Sequence, residues 1–343
     1  RLGIEVVPPS VRSSFAAFEV GESKIFYALS AIKGVGNAAV EHIVARRADR
    51  QFDTLEDFCE RIDPKVVGKR VLESLVAAGA LDCFGRERAA MMAGVEHMMA
   101  VAQQAQSNAE SGQGDIFGIG GARKPEPIRL PVVAAWLPAD RLHREFQAVG
   151  FYLSAHPLDE YRATLQRLRV QNWAEFSAAV KLGATAGRLA GTVTSKQERK
   201  TRTGNKMGVV QLSDMTGQYE AVLFAETLAQ YRDMLEPGRS VVIMVSAENR
   251  PEGINLRIQA VQSLEEEASR VQKSLRIFVR DPEPLGALEA QLSARGEGQV
   301  SLVVLREGGQ GEIEIALPEK YRISPQIASA LRAVRGVVDV ELV

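Results

Sequence analysis

The chain has 343 residues, 45% of them hydrophobic and 25% charged, with a formal net charge of −1 at pH 7. At about 100–200 residues per domain this is room for two to four domains, and the near-neutral charge excludes a chain that binds nucleic acid over its whole surface, so any basic site is local. The cysteines, Cys59 and Cys83, are too few for a disulfide framework or a zinc site, and no apolar run approaches the ~18 residues of a membrane span.

In chain order, residues 1–22 read as irregular, because Pro8 and Pro9 force extended backbone. Residues 23–106 read as a helical module. Val40, Ile43 and Val44 share one helical face, and Val71, Leu72, Leu75 and Val76 another. Gly79 and Gly85 are expected helix stops. Met91, Met92, Met98 and Met99 fall at helical spacing and predict a packing stripe. Residues 107–131 form a linker rich in Gly, Ser, Gln and Pro, and 132–182 a helical connector. The period then changes. "GRLAGTVTS", "MGVVQLSDM", "QYEAVLFAE", "RSVVIMVSA" and "GINLRIQAV" predict five strands over 183–264, a small antiparallel sandwich or barrel. Residues 273–343 read strand–helix–strand–strand–helix–strand, a small α+β unit of the split βαβ type. The expected fold class is multidomain α+β: a helical module, a five-stranded barrel of OB type and a small α+β C-terminal domain.

A reducing cytoplasm suits the two thiols, and no signal peptide is visible. A chain that opens on Arg1 rather than Met reads as a piece of something longer.

In "AIKGVGNAAVEHIVARR", Lys33, Gly34, Val35 and Gly36 stand immediately before a helical run. Glycines let backbone turn tightly and approach a phosphate, and the free N–H groups of a helix start point at an anion. A tight helix–helix turn without a ligand explains the same residues. A lone Gly-x-Gly outside a strand–helix–strand unit is weak evidence for a dinucleotide site. The hydrophobic frame looks like a helix-hairpin-helix motif, which holds DNA backbone without reading bases; such contact is salt-dependent and sequence-blind.

In the linker, "SGQGDIFG" sets Ile116 and Phe117 side by side without local apolar neighbours. They either dock back onto the Met-rich helix or fill another protein's pocket. Between the first two barrel strands, "SKQERKTRTGNKMG" carries Lys196, Arg199, Lys200, Arg202 and Lys206 against Glu198 alone. A solvated hairpin loop is the plain reading. In OB-folds this loop and the adjoining sheet face hold oligonucleotides, and single strands are held by basic loops plus aromatic platforms. Tyr219 is the stacking candidate; Phe224 is assigned to the core. No hydrolytic or redox site is visible. His42, His97, His143 and His156 lack partners at metal spacing, and His156, before Pro157, reads as structural.

The stretches "ALSAIKGVGNAAVEHIVARR", "LEDFCERID", "KRVLESLVAAGALDCFG" and "EFQAVGFYLSAHPLDEY" occur in the order of motifs in one family. By them the whole chain resembles the C-terminal part of bacterial DNA polymerase III alpha subunits, the C-family replicative polymerases. "PPSVRSS" resembles the junction where that family's catalytic region ends. The resemblance implies a helix-hairpin-helix module on duplex DNA, an OB domain on single-stranded DNA, and a C-terminal domain that binds the tau subunit of the clamp loader. Other holoenzyme subunits are implied partners too. It also implies that Gln113, Asp115, Ile116 and Phe117 form the peptide that binds the beta sliding clamp. The family's nucleotidyltransferase chemistry uses three aspartates and two magnesium ions. No match for those aspartates is found here, so this piece is expected to have no cofactor and no synthesis of its own. A free-standing nucleic-acid-binding adaptor built of the same modules is the alternative.

Overall fold

The structure, a computed structural model, describes residues 5–21, 23–110, 127–200, 206–271, 274–292, 295–305 and 312–342. The chain divides into two compact units, Arg1–Ser154 and Ala155–Val343.

The first unit opens with β1 (Glu5–Val7), β2 (Glu19–Val20) and β3 (Lys24–Phe26), a sheet of order β1-β3-β2. The stretch expected to be irregular thus holds two strands, each too short to show a period. It is also part of the core: Val11 is fully buried, and its N–H donates to the Ala80 carbonyl at 3.0 Å. Helices α1 (Asn37–Asp49), α2 (Leu55–Arg61), α3 (Lys69–Ala77), α4 (Arg88–Ala93), α5 (Val95–Glu110) and α6 (Pro138–Val149) follow. Val40 and Ile43 of α1 and Leu72, Leu75 and Val76 of α3 meet in this core as their spacing predicts. Met91 and Met98 are buried in it, with Met92 and Met99 packed at its edge. Gly79 and Gly85 follow α3 and the short helical turn Asp82–Phe84 with positive φ, a conformation glycine adopts at no steric cost.

The motif "EFQAVGFYLSAHP" has a local cause. Helix α6 stops at Gly150, φ +94°, and the chain doubles back so that one Glu145 carboxylate oxygen accepts the N–H groups of Leu153 (2.8 Å) and Ser154 (2.9 Å). The other oxygen meets the buried Arg88 guanidinium at 3.5 Å.

The second unit begins with α7 (Arg162–Arg167) and α8 (Trp173–Lys181). The residues expected to form one connector are therefore shared out, α6 to the first unit and α7 and α8 to the second. Then come β4 (Ala186–Lys200), β5 (Lys206–Asp214), β6 (Gly217–Phe224), α9 (Ala225–Tyr231), β7 (Ser240–Arg250) and β8 (Gly253–Ser263). The five strands close a barrel in the order β4-β5-β6-β8-β7. The 15-residue β4 makes closure possible: it pairs with β7 over its first half and with β5 over its second, with a bulge between Val193 and Ser195. Phe176 of α8 and Leu228 of α9 pack on the barrel core, each against a glycine, Gly187 and Gly208, where a Cβ would collide with the ring or the leucine.

His156 is structural, as read from the sequence. Its Nε2 lies 3.0 Å from the Ser213 hydroxyl, and its Nδ1 accepts the Leu158 N–H at 3.1 Å. Burial pushes its pKa down to about 4, so the ring is neutral at pH 7.

After α10 (Leu264–Val271) come β9 (Ser274–Val279), α11 (Leu285–Gln291), β10 (Arg295–Leu305), β11 (Glu312–Tyr321), α12 (Pro325–Arg332) and β12 (Val337–Leu342). The element order matches the sequence pattern; the topology does not. The sheet runs β11-β10-β9-β12, with β9 and β10 parallel and adjacent. The first crossover therefore joins direct neighbours, and no strand splits the βαβ unit. Leu288 and Leu331 of the two helices pack with Leu275, Ile277, Val300 and Val340 of the sheet. No described helix is long and apolar enough to cross a membrane.

Candidate nucleic-acid interface

Two stretches of the fold hold the predicted DNA-binding residues that the structure describes. The first is the turn before α1. Ile32 and Val35 are buried and pin it to the core. The Lys33 N–H donates to the Ala148 carbonyl at 2.8 Å, and the Val35 N–H to the Ile32 carbonyl at 3.1 Å. Between them Gly34 takes φ +86°, and a Cβ there would lie 2.8 Å from the Ser74 hydroxyl. Only glycine fits that geometry. Gly36 is the N-cap of α1, in extended conformation; it has no side-chain cap, and nothing lies within 4 Å of the place a Cβ would take. Its carbonyl accepts the N–H groups of Ala39 and Val40. For the N–H groups of Gly36, Asn37 and Ala38 no acceptor is in place among the described residues, and all three residues are exposed. A 13-residue helix with no acid in its first turn thus presents three open donors at its positive end, with the exposed Lys33 beside them. Of the four residues predicted here, Lys33, Gly34 and Gly36 are on the surface. Val35 is 5% exposed and acts by fixing the turn. Asn37 and Ala38 escape a motif that ends at Gly36, although their place as the first two helical residues marks them.

The second stretch is the β4–β5 ribbon, and here the basic residues part company. Lys196 is a frame residue: its ammonium holds the Glu236 carboxylate and the Arg232 carbonyl, and its side chain is only 12% exposed. Glu198 is paired by Arg232 in the same way. Arg199, Lys200 and Lys206 are exposed, with Arg199 donating to the Gln197 amide oxygen at 2.7 Å. Arg202 lies outside the described residues.

Tyr219 is not a stacking platform. It is 5% exposed, its ring stacks on Trp173 at 5.1 Å, and its hydroxyl donates to the Ala190 carbonyl at 3.0 Å. Burial raises its pKa well above the usual tyrosine value. Phe224 corrects the opposite way: it is 41% exposed, and the Arg257 guanidinium lies 4.5 Å from its ring centroid. Strand alternation is the cause. Tyr219, Ala221 and Leu223 point into the barrel, so Phe224 falls on the outward phase.

Gln113, Asp115, Ile116 and Phe117 lie outside the described residues. Among the described residues no group of three or more His, Cys, Asp or Glu side chains could hold a metal ion.

Residues 3–91 match a helix-hairpin-helix motif family, and residues 188–264 an OB-fold nucleic acid binding domain family. The chain is similar to DNA polymerase III subunit alpha of Caulobacter vibrioides, 38% identical over 347 residues, which is 99% of this chain and 30% of that protein. It is 31% identical over 353 residues to the subunit of the same name from Vibrio cholerae, again 99% of this chain and 30% of the relative. The chain thus spans about 30% of the length of these curated relatives. Among solved structures, the second OB-fold domain of replication protein A from Methanococcus maripaludis covers 23% of this chain and 84% of its own, at 19% identity and a TM-score of 0.20, too low to carry weight.

Proposed function

On the footing that this chain is related end to end to a region of DNA polymerase III subunit alpha, we propose that it is the part of a cytoplasmic replicative polymerase that holds DNA and partners rather than joining nucleotides. The observation that carries this reading is the open start of α1, three backbone donors and Lys33 on a turn that only glycine can make. Backbone donors recognise phosphate and are blind to bases, as a polymerase that copies any sequence requires. The hairpin takes duplex phosphates and the barrel the single strand. Magnesium and the transfer chemistry belong to the polymerase core, outside this chain.

The peptide Gln113, Asp115, Ile116 and Phe117 binds the sliding clamp, and the 273–343 domain binds tau. The latter rests on the resemblance; over these residues ten acids stand against nine Lys and Arg, so no basic excess points to DNA. Retention of tau in a pull-down with a chain lacking 273–343 would remove that assignment. The central test is titration of the 343-residue chain with two unrelated duplexes over a salt series. Equal affinities with a steep salt slope are expected. A marked preference for one sequence, or no binding to either, rejects the reading.

A further inference from the structure

The barrel register lines up side chains that are scattered in the sequence. Arg199 of β4 stands opposite Met207 of β5, and Met207 opposite Phe224 of β6. One step along, Gln197 pairs with Val209, Val209 with Val222, and Val222 with Arg257 of β8. Directly paired residues share a face. Met207, Val209, Val222 and Phe224 therefore share one strip of the outer face of the barrel, Val209 buried, Met207 and Val222 half-buried and Phe224 exposed, with exposed Arg199 at one end and exposed Arg257 at the other. Arg257 lies over the Phe224 ring. Lys196 and Glu198 fall on the alternate phase and turn instead to Glu236 and Arg232. Exposed Glu220, two residues before Val222, bounds the strip and repels phosphate there.

We propose that Phe224 is a base-stacking platform for single-stranded DNA, with Arg199 and Arg257 receiving phosphates on either side of it. The proposal rests on the reading of the barrel as the single-strand site. A nucleotide is an apolar face on a charged backbone, and the strip offers an apolar face between two cations. An exposed cation–π contact is weaker than base–aromatic stacking. A base therefore displaces Arg257 from the ring, and the freed guanidinium turns to the adjacent phosphate. Arg257 keeps the ring covered until a strand arrives.

The test uses the 343-residue chain, an oligothymidylate and an abasic strand of equal length. Phe224→Leu keeps apolar bulk without the π-face; Phe224→Trp enlarges that face. The Leu variant is expected to bind the oligothymidylate about 5- to 100-fold more weakly and the abasic strand as wild type does. The Trp variant is expected to bind the oligothymidylate at least as well as wild type. Arg257→Ala is expected to lower the salt exponent by ~0.7. Equal binding of the oligothymidylate by wild type and the Leu variant overturns the platform and leaves the barrel as a single-strand site. A loss of equal size on both strands also overturns it, because Phe224 then acts through the fold. Wild-type chain that binds neither strand overturns the underlying reading, and this proposal with it.

Discussion

Glu145 and Arg88 face each other in the interior of the first unit, 3.5 Å apart and with side chains 2% and 8% exposed. Each has further partners: two backbone N–H groups for the carboxylate, and Asp82 for the guanidinium. Removing one member of such a set strands the rest. Glu145→Ala is expected to cost about 3–5 kcal/mol in urea unfolding. A cost under ~1 kcal/mol would mean that water replaces the carboxylate.

The neutral His156 gives stability a pH dependence. Its folded pKa, about 4, lies below the ordinary value of 6.5, so the unfolded chain takes up the proton first. Its contribution is whole above about pH 6.5 and is lost as pH falls towards 4, at about 1.4 kcal/mol per unit. The slope difference between wild type and His156→Gln, followed by urea unfolding from pH 7 to pH 4, isolates it. Identical slopes would place the ring in water.

Gly34 and Gly36 separate fold from function. Gly34→Ala forces a side chain into φ +86° and against Ser74, and is expected to lower stability by about 1–3 kcal/mol. Gly36→Glu meets open space at an ordinary φ of −78°. It is expected to leave melting unchanged, while its carboxylate at the donor site weakens duplex binding without altering sequence preference. Undiminished duplex affinity would show that the turn is only a helix junction.

The basic ribbon is expected to behave as two groups. Arg199→Ala with Lys200→Ala removes two outer cations, and the single-strand salt exponent is expected to fall by about 1.4. Lys196→Ala breaks contacts to Glu236 and Arg232; it is expected to lower the melting temperature and leave the salt exponent nearly unchanged. A fall of the same size in Lys196→Ala would put this lysine on the DNA after all.

Ile116→Ala with Phe117→Ala tests the peptide. Clamp affinity is expected to collapse while melting temperature and DNA binding hold, since a few apolar anchors carry most of such an interface. Persistent clamp binding with a lowered melting temperature would assign both residues to a core.

Sequence alone was enough for what local periodicity encodes. The helical faces of Val40 with Ile43 and of Leu72 with Leu75, the five strands of the barrel, the glycine turn before α1 and a structural His156 all follow from spacing, propensity and backbone sterics, each readable within a few neighbours. Tertiary structure decided what depends on residues far apart. Lys196 and Arg199 look alike in the sequence; the alternation of β4, with Glu236 and Arg232 waiting on one side, ties one down and leaves the other exposed. Tyr219 needed Trp173 and the Ala190 carbonyl to bury it. The outward phase of Phe224 was written in the alternation of β6, but Arg257, 33 positions on, comes to its ring only because the barrel closes β6 against β8. The tail's strand order was likewise beyond the sequence pattern. Alternation names strands and faces, whereas which strands become neighbours is set by the competition of all pairings for one core.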